Sequence, residues 1–155
     1  TYNRVKMLTM DPRFYYYKNS MINRNLFDEN LVIDCEMNSG SSYEAMERYL
    51  EKNKKPPKAL FISSDATAAG ILKSIHEHGF LVPGDCNIVT YNNTTFSESS
   101  TPPLDSIEVY LKESAKEATF ALERFWNAEK LPRKIVIPCS LVIRGSIKKK
   151  ENNDK

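Results

Sequence analysis

A chain of 155 residues, 41% hydrophobic and 27% charged, has the composition of an ordinary soluble domain or a large part of one. Its formal net charge of +2, from 22 basic and 20 acidic residues, is too small to argue for nucleic-acid binding by charge. No apolar run nears the roughly 18 residues that span a bilayer, so a membrane partner is not expected.

The first ten residues carry one weak signal, a short strand at Val5 to Leu8. Asp11-Pro12 then opens a helix, with Asp11 as N-cap and Pro12 at the first helical position. Phe14, Tyr17, Met21 and Ile22 mark one apolar face, and Asn25 is the expected stop. Leu31 to Cys35 is short and rich in branched residues, which predicts a buried strand. After Ser39-Gly40-Ser41 a helix is expected from Ser41 to Asn53, with Tyr43, Met46, Tyr49 and Leu50 facing inward and Lys54-Lys55-Pro56-Pro57 ending it.

Ala59 to Ile62 is apolar without alternation, as in parallel strands covered on both faces. Ser63-Ser64-Asp65 is expected to cap a helix from Ala66 to His78, Asp65 being the favoured cap, and Gly79 its stop. Val82-Pro83-Gly84-Asp85 predicts a turn, and Asn87 to Tyr91 another buried strand. A loop over Thr94 to Thr101, a strand near Ser106 to Val109 and a helix from Leu111 to Asn127 follow, with Leu111, Ala115, Ala118, Leu122 and Phe125 along one side. Strands at Lys134 to Ile137 and Ser140 to Ile143, parted by Pro138, close the fold, and the Lys-rich residues 148–155 form a solvated polar tail.

Alternation of strand and helix with short connections argues for βαβ crossovers: an α/β fold, a parallel sheet flanked by helices. Ligands on such sheets bind beyond the carboxyl ends of the strands. Those ends carry Glu36-Met37-Asn38, Ser63-Ser64-Asp65 and Asn92-Asn93-Thr94, small or polar clusters that suit a neutral polyhydroxyl ligand better than a charged one.

Catalytic chemistry finds little support. The two histidines, His76 and His78, fall at the polar end of a helix, and no nucleophile elbow, phosphate loop or dinucleotide turn is present. Carboxylates near strand ends (Asp34, Glu36, Asp65) are not tied into a pair by any spacing. Cys35, Cys86 and Cys139 show no metal-ligand spacing, and they read as buried free thiols in a reducing cytoplasm. No cofactor or metal is implied, and no enzyme is expected.

Four segments in order carry a family resemblance. They are Pro57 to Asp65, Gly79 to Asn93 (through Val82-Pro83 and Tyr91-Asn92-Asn93), Thr101-Pro102-Pro103-Leu104-Asp105-Ser106-Ile107, and Leu131-Pro132 to Gly145-Ser146 with its Leu141-Val142-Ile143-Arg144. Together they resemble the ligand-sensing domain of LacI/GalR-type transcriptional repressors, a fold like that of periplasmic sugar-binding proteins, and the galactose-operon regulators in particular. Asp11 to Tyr17 is a weaker match to the same family.

The resemblance implies a sugar effector, galactose or a galactoside, in a cleft lined by Arg13, Met37, Ser64 and Asn92. Ser64 stands where the family often has Asn, Asn92 where it usually has Asp, and Met37 where an aromatic platform is common. It also implies a homodimer formed by the helix bearing Ala66, Ala69, Gly70 and Lys73, and a cytoplasmic protein that meets DNA through a head outside these residues. On this reading residues 1–147 are part of a sensing domain. Residues 8–109 and 138–147 form its C-terminal subdomain, and residues 110–137 return to an N-terminal subdomain. The Leu111 to Trp126 helix then carries an apolar face without a home, expected to dock on a second copy or on the cleft edge.

Overall fold

The computed structural model of the chain describes residues 11–130, 132 and 134–148; the expected strand at Val5 to Leu8 and residues 149–155 lie outside the described residues. Helix α1 (Pro12–Ile22) begins as the Asp-Pro signal dictates, the Asp11 carboxylate accepting the Arg13 N–H at 2.9 Å. Helix α2 (Ser39–Asn53) is capped by the Asn38 side chain, which accepts from the Ser41 N–H. Strand β1 (Ala59–Phe61) leads to α3 (Asp65–Glu77), strand β2 (Asn87–Asn92), the short α4 (Thr95–Ser99), β3 (Asp105–Glu108), the long α5 (Leu111–Trp126) and β4 (Ser140–Val142).

The sheet order is β1-β2-β3-β4, with β1, β2 and β3 parallel and β4 antiparallel to β3. Leu60 stands opposite Ile88, Thr90 opposite Ser106, and Ile107 opposite Leu141. Directly paired residues point to one face, and on the Ile88–Thr90–Ser106 face all three are fully buried. Helices α2 and α3 cover that face. Met46 and Leu50 from α2, Ala68, Ile71, Leu72 and Ile75 from α3, and Ile62, Ile88 and Leu104 from the sheet side make one core. Each of the larger side chains, Ala68 apart, contributes roughly 1.5–3 kcal/mol by leaving water.

The α2–α3 contact is close because Gly70 has no side chain. A Cβ there would run into the Ser39 carbonyl and the Ser42 hydroxyl. At the other end of α3, Gly79 adopts φ 76° and the reversing hydrogen bond from Phe80 N–H to the Ile75 carbonyl (3.1 Å) ends the helix. The closing segment is stitched in by buried polar groups. Asp105 Oδ2 accepts from the Ser146 N–H (2.7 Å), the Ser146 hydroxyl (2.9 Å) and the Ile147 N–H (2.9 Å), while Oδ1 accepts the Arg144 N–H at 3.0 Å.

Several expectations are corrected. Leu31 to Cys35 is not a strand: Glu29–Leu31 is a 3-10 helix, and the Leu31 and Val32 amides donate to the Asp28 and Glu29 carbonyls instead of a neighbouring strand. Lys134 to Ile137 likewise forms no strand: the second edge of β3 is taken by Ser140–Val142, and Lys134 to Ile137 pairs with no strand among the described residues. Part of the expected loop at Thr94 to Thr101 is helix α4. The cap of α3 is Ser64, whose hydroxyl accepts from the Thr67 N–H, and Asp65 is the first helical residue. Strand β1 is not covered on both faces, because α2 and α3 share the Ile88 face and Phe61 stays 45% exposed on the other. Cys86 is buried, Cys35 is half-buried and Cys139 is exposed, so the thiols are not uniformly interior.

Helix α5 buries none of its residues in this chain; Leu122, Phe125 and Trp126 are 64%, 68% and 87% exposed. Its apolar face does not fold back onto the cleft edge.

Candidate functional site

The N-caps of α2 and α3 and the end of β2 meet at the carboxyl side of the sheet. Between them lies an open depression of about 460 Å³. Met37, Ser39, Ser64, Asp65, Asn92 and Thr94 line it, with Phe96 from α4 closing one side. Three of the four residues expected to touch a ligand, Met37, Ser64 and Asn92, therefore share one concavity.

Each is held differently. Met37 projects from the segment before α2 and is 58% exposed, its thioether body available as an apolar surface. Ser64 is 3% exposed, and its hydroxyl lies 2.9 Å from the Thr67 hydroxyl while capping α3. Asn92 ends β2 with φ 103°, followed by Asn93 at φ 51°. Asparagine tolerates this left-handed region better than most residues, which is a local reason for the Asn-Asn pair.

Arg13 is placed beside the depression rather than in its lining. Its Nη1 donates to the Ser63 carbonyl at 2.6 Å, Nε and Nη2 grip the Asp11 carboxylate at 3.0 and 2.7 Å, and the guanidinium lies 5.0 Å over the Tyr91 ring. The Asp11 hydrogen bond pushes the Arg13 pKa up, and the same contact holds the Asp11 carboxyl below its ordinary value. Arg13 thus braces the tips of β1 and β2 from the side opposite α2 and α3.

Asp65, Ser39, Thr94 and Phe96 enlarge the set. Asp65 is 2% exposed, and its Oδ2 accepts the Thr94 N–H (2.7 Å), the Thr94 hydroxyl (2.7 Å) and the Ser97 hydroxyl (3.2 Å). It thereby ties the start of α3 to the β2–α4 connection. Asp65 and Thr94 were visible in the sequence as members of strand-end clusters. Phe96 had no signal there: it stood in an expected loop, yet it supplies an aromatic wall near Met37.

One acid and no base line the depression, so its chemistry favours hydroxyl donors and apolar ring faces over anions. His76 and His78 lie at the far end of α3, on the order of 20 Å along a 13-residue helix. His78 Nδ1 sits 3.0 Å from the Ser74 carbonyl and 3.4 Å from Glu47. Among the described residues no cluster of three His, Cys, Asp or Glu side chains could hold a metal.

The residues expected at a dimer interface divide. Ala66 and Lys73 are exposed and Ala69 is half-buried at the depression, but Gly70 is buried beneath α2 within this chain. Lys73 Nζ lies 5.0 Å over the Tyr43 ring and 3.8 Å from Glu77. Tyr43 donates to Glu77 at 2.6 Å, and that carboxylate pushes the phenol up to about 12. Among the described residues no helix is long and apolar enough to cross a membrane.

Residues 3–147 match the periplasmic binding protein-like domain family. The chain is 30% identical over 139 residues to the HTH-type transcriptional regulator GalR of Streptococcus thermophilus, covering 89% of this chain and 42% of that protein. Among solved structures it is similar to the transcription regulator CcpA of Lactococcus lactis (TM-score 0.77, 25% identity, 85% of this chain and 48% of that one). It is also similar to a transcriptional regulator CelR–cellobiose complex (TM-score 0.74, 25% identity, 84% and 40%). The chain spans less than half the length of each of these relatives. With the parallel strands, the depression at their carboxyl ends and the closing Arg144-Gly145-Ser146 in place, the chain belongs to the periplasmic binding protein-like domain family, in the form carried by LacI/GalR-type transcriptional regulators.

Proposed function

We propose that this chain is the effector-sensing part of a DNA-binding repressor and that its depression takes a neutral sugar, galactose or a galactoside. The observation that carries the reading is the meeting of Met37, Ser64 and Asn92 around one concavity with no cationic side chain in its lining. Met37 and Phe96 offer apolar surface to a sugar ring, and Ser64, Asn92 and Asp65 offer groups for its hydroxyls, with Arg13 bracing the rim. The CelR–cellobiose complex and the GalR relative support a saccharide over other neutral ligands.

On this reading the chain senses rather than converts its ligand. Residues 8–109 and 138–147 act as one subdomain, and residues 110–137 join a second part of the full-length protein that covers the α5 face and completes the cleft. Two copies associate through the exposed side of α3, using Ala66, Lys73 and the edge at Ala69, while Gly70 serves the α2–α3 contact. DNA is met through a separate head, in the cytoplasm, and sugar binding changes how the subdomains close.

Calorimetry on the full-length protein with galactose, lactose, glucose and galactose 6-phosphate tests this. Binding of galactose or lactose with rejection of the phosphosugar is expected. Preference for the phosphorylated sugar, or heat from none of the four, contradicts it.

A further inference from the structure

The turn at the end of β2 is held in place by groups that no ligand need touch. Asn92 and Asn93 are consecutive residues at positive φ, 103° and 51°, a backbone state that persists only where the surroundings determine it. Asn93 is gripped at its N–H and at both ends of its side chain. The N–H donates to the Ser106 hydroxyl at 3.0 Å, the side-chain amide donates to Glu108 Oε2 at 2.6 Å, and Oδ1 accepts from Arg144 Nη2 at 2.7 Å.

Those partners stand on the two chain segments that lead to and from α5. Glu108 is the last residue of β3, and its Oε1 accepts the N–H of Tyr110, the residue that caps α5, at 2.8 Å. Arg144 lies two residues past β4, the strand by which the chain returns, and its Nη1 donates to the Leu104 carbonyl at 3.0 Å. The Asn93 amide and the Tyr110 N–H hold the Glu108 carboxyl below its ordinary value. A charged carboxylate and a guanidinium thus clamp one neutral amide, the stronger kind of hydrogen bond at each end.

We propose that Asn93, Glu108 and Arg144 are positioning residues that fix Asn92 at the wall of the depression and link its occupancy to the setting of α5. The proposal rests on the sugar-sensing reading above and adds the route by which the site is coupled to the rest of the protein. A ligand that pulls on Asn92 pulls on Asn93 beside it, and so on both connections of α5, which are antiparallel neighbours at this end of the sheet. Such coupling needs an element that both sites bias, and this turn has contacts to each.

The test is a rescue experiment in the full-length protein, with galactose and lactose as probes. Asn93→Asp sets a carboxylate against Glu108 while leaving an oxygen for Arg144. Glu108→Gln restores a donor toward position 93 and keeps an oxygen for the Tyr110 N–H. N93D is expected to weaken sugar affinity about tenfold and to blunt the sugar-dependent change in operator binding, and N93D/E108Q to recover both to within about threefold. Arg144→Lys, which keeps the charge and loses the two-point grip, is expected to match N93D and serves if N93D does not fold. Wild-type binding with N93D and R144K unchanged in both readouts overturns this inference alone, as does loss without rescue in the double variant. A wild-type protein that binds neither sugar overturns the sensing reading beneath it.

Discussion

Among the described residues Asp105 is the most heavily used buried carboxylate, and its replacement tests how the closing segment is attached. It is 1% exposed and collects four donors, three on Oδ2 and one on Oδ1. Asp105→Asn keeps the shape but turns one oxygen into a donor. The cheaper orientation leaves the amide oxygen at the Oδ2 position and sets the new N–H₂ against the Arg144 N–H. The Arg144 N–H and the amide hydrogens that face it are then both unsatisfied, at about 1 kcal/mol or more each, the low end for a part-buried pair, and the three remaining bonds lose their ionic assistance. The sum is about 3 kcal/mol. Asp105→Ala strips all four donors and should cost more, about 4–5 kcal/mol. Urea denaturation followed by circular dichroism measures both. Should D105N lie within about 0.5 kcal/mol of the parent protein, the closing segment is not held by this carboxylate.

Four further outcomes are expected. Gly70→Ala gains up to about 1 kcal/mol of helix propensity but drives a methyl into the α2 backbone, so a net loss of about 1–3 kcal/mol is expected in thermal melts. Ser64→Ala removes the α3 cap and should cost about 1 kcal/mol of stability together with a drop in sugar affinity by calorimetry. Burial pushes the Cys86 thiol up to about 12, so at pH 8 iodoacetamide should label exposed Cys139 and spare Cys86 in mass spectra of the native protein. Glu108 has its folded-state pKa depressed from 4.5, so its contribution is full above the unfolded value and is lost as pH falls through the lower folded value. The gap in thermal midpoint between parent and Glu108→Gln should therefore be present at pH 7 and close toward pH 3, and a gap unchanged over that range counts against the assignment.

The elements with strong local punctuation were legible in the sequence. Asp11-Pro12, the Lys54 to Pro57 stop and Gly79 each mark a boundary by a backbone property of one residue, and the structure follows them closely. The apolar runs at Ala59 and Asn87 became neighbouring parallel strands because burial of one face and short crossovers leave few alternatives. Leu31 to Cys35 misled for the opposite reason: a branched run specifies a strand only when a partner edge exists, and pairing is not written in the run itself. Phe96 could not be found because five residues of helix within a Ser/Thr-rich stretch give no period to read. Ser64 and Asn92 were findable since parallel topology sends the ends of β1 and β2 to one side, whereas Met37 shares their depression although the segment before it is not a strand. Arg13 was expected in the same set, and what the sequence could not give is that three of its five N–H donors are turned to Asp11 and the Ser63 carbonyl.

The hydrogen that stands in for a side chain at Gly70 also gauges the mouth of the depression. Ser39 on one lip and Ala66 with Ala69 on the other belong to two helices whose spacing is set at that crossing point. A bulkier residue there would act as a wedge and part the lips, so the width of the depression is governed from beneath the rim by a position that does not line it.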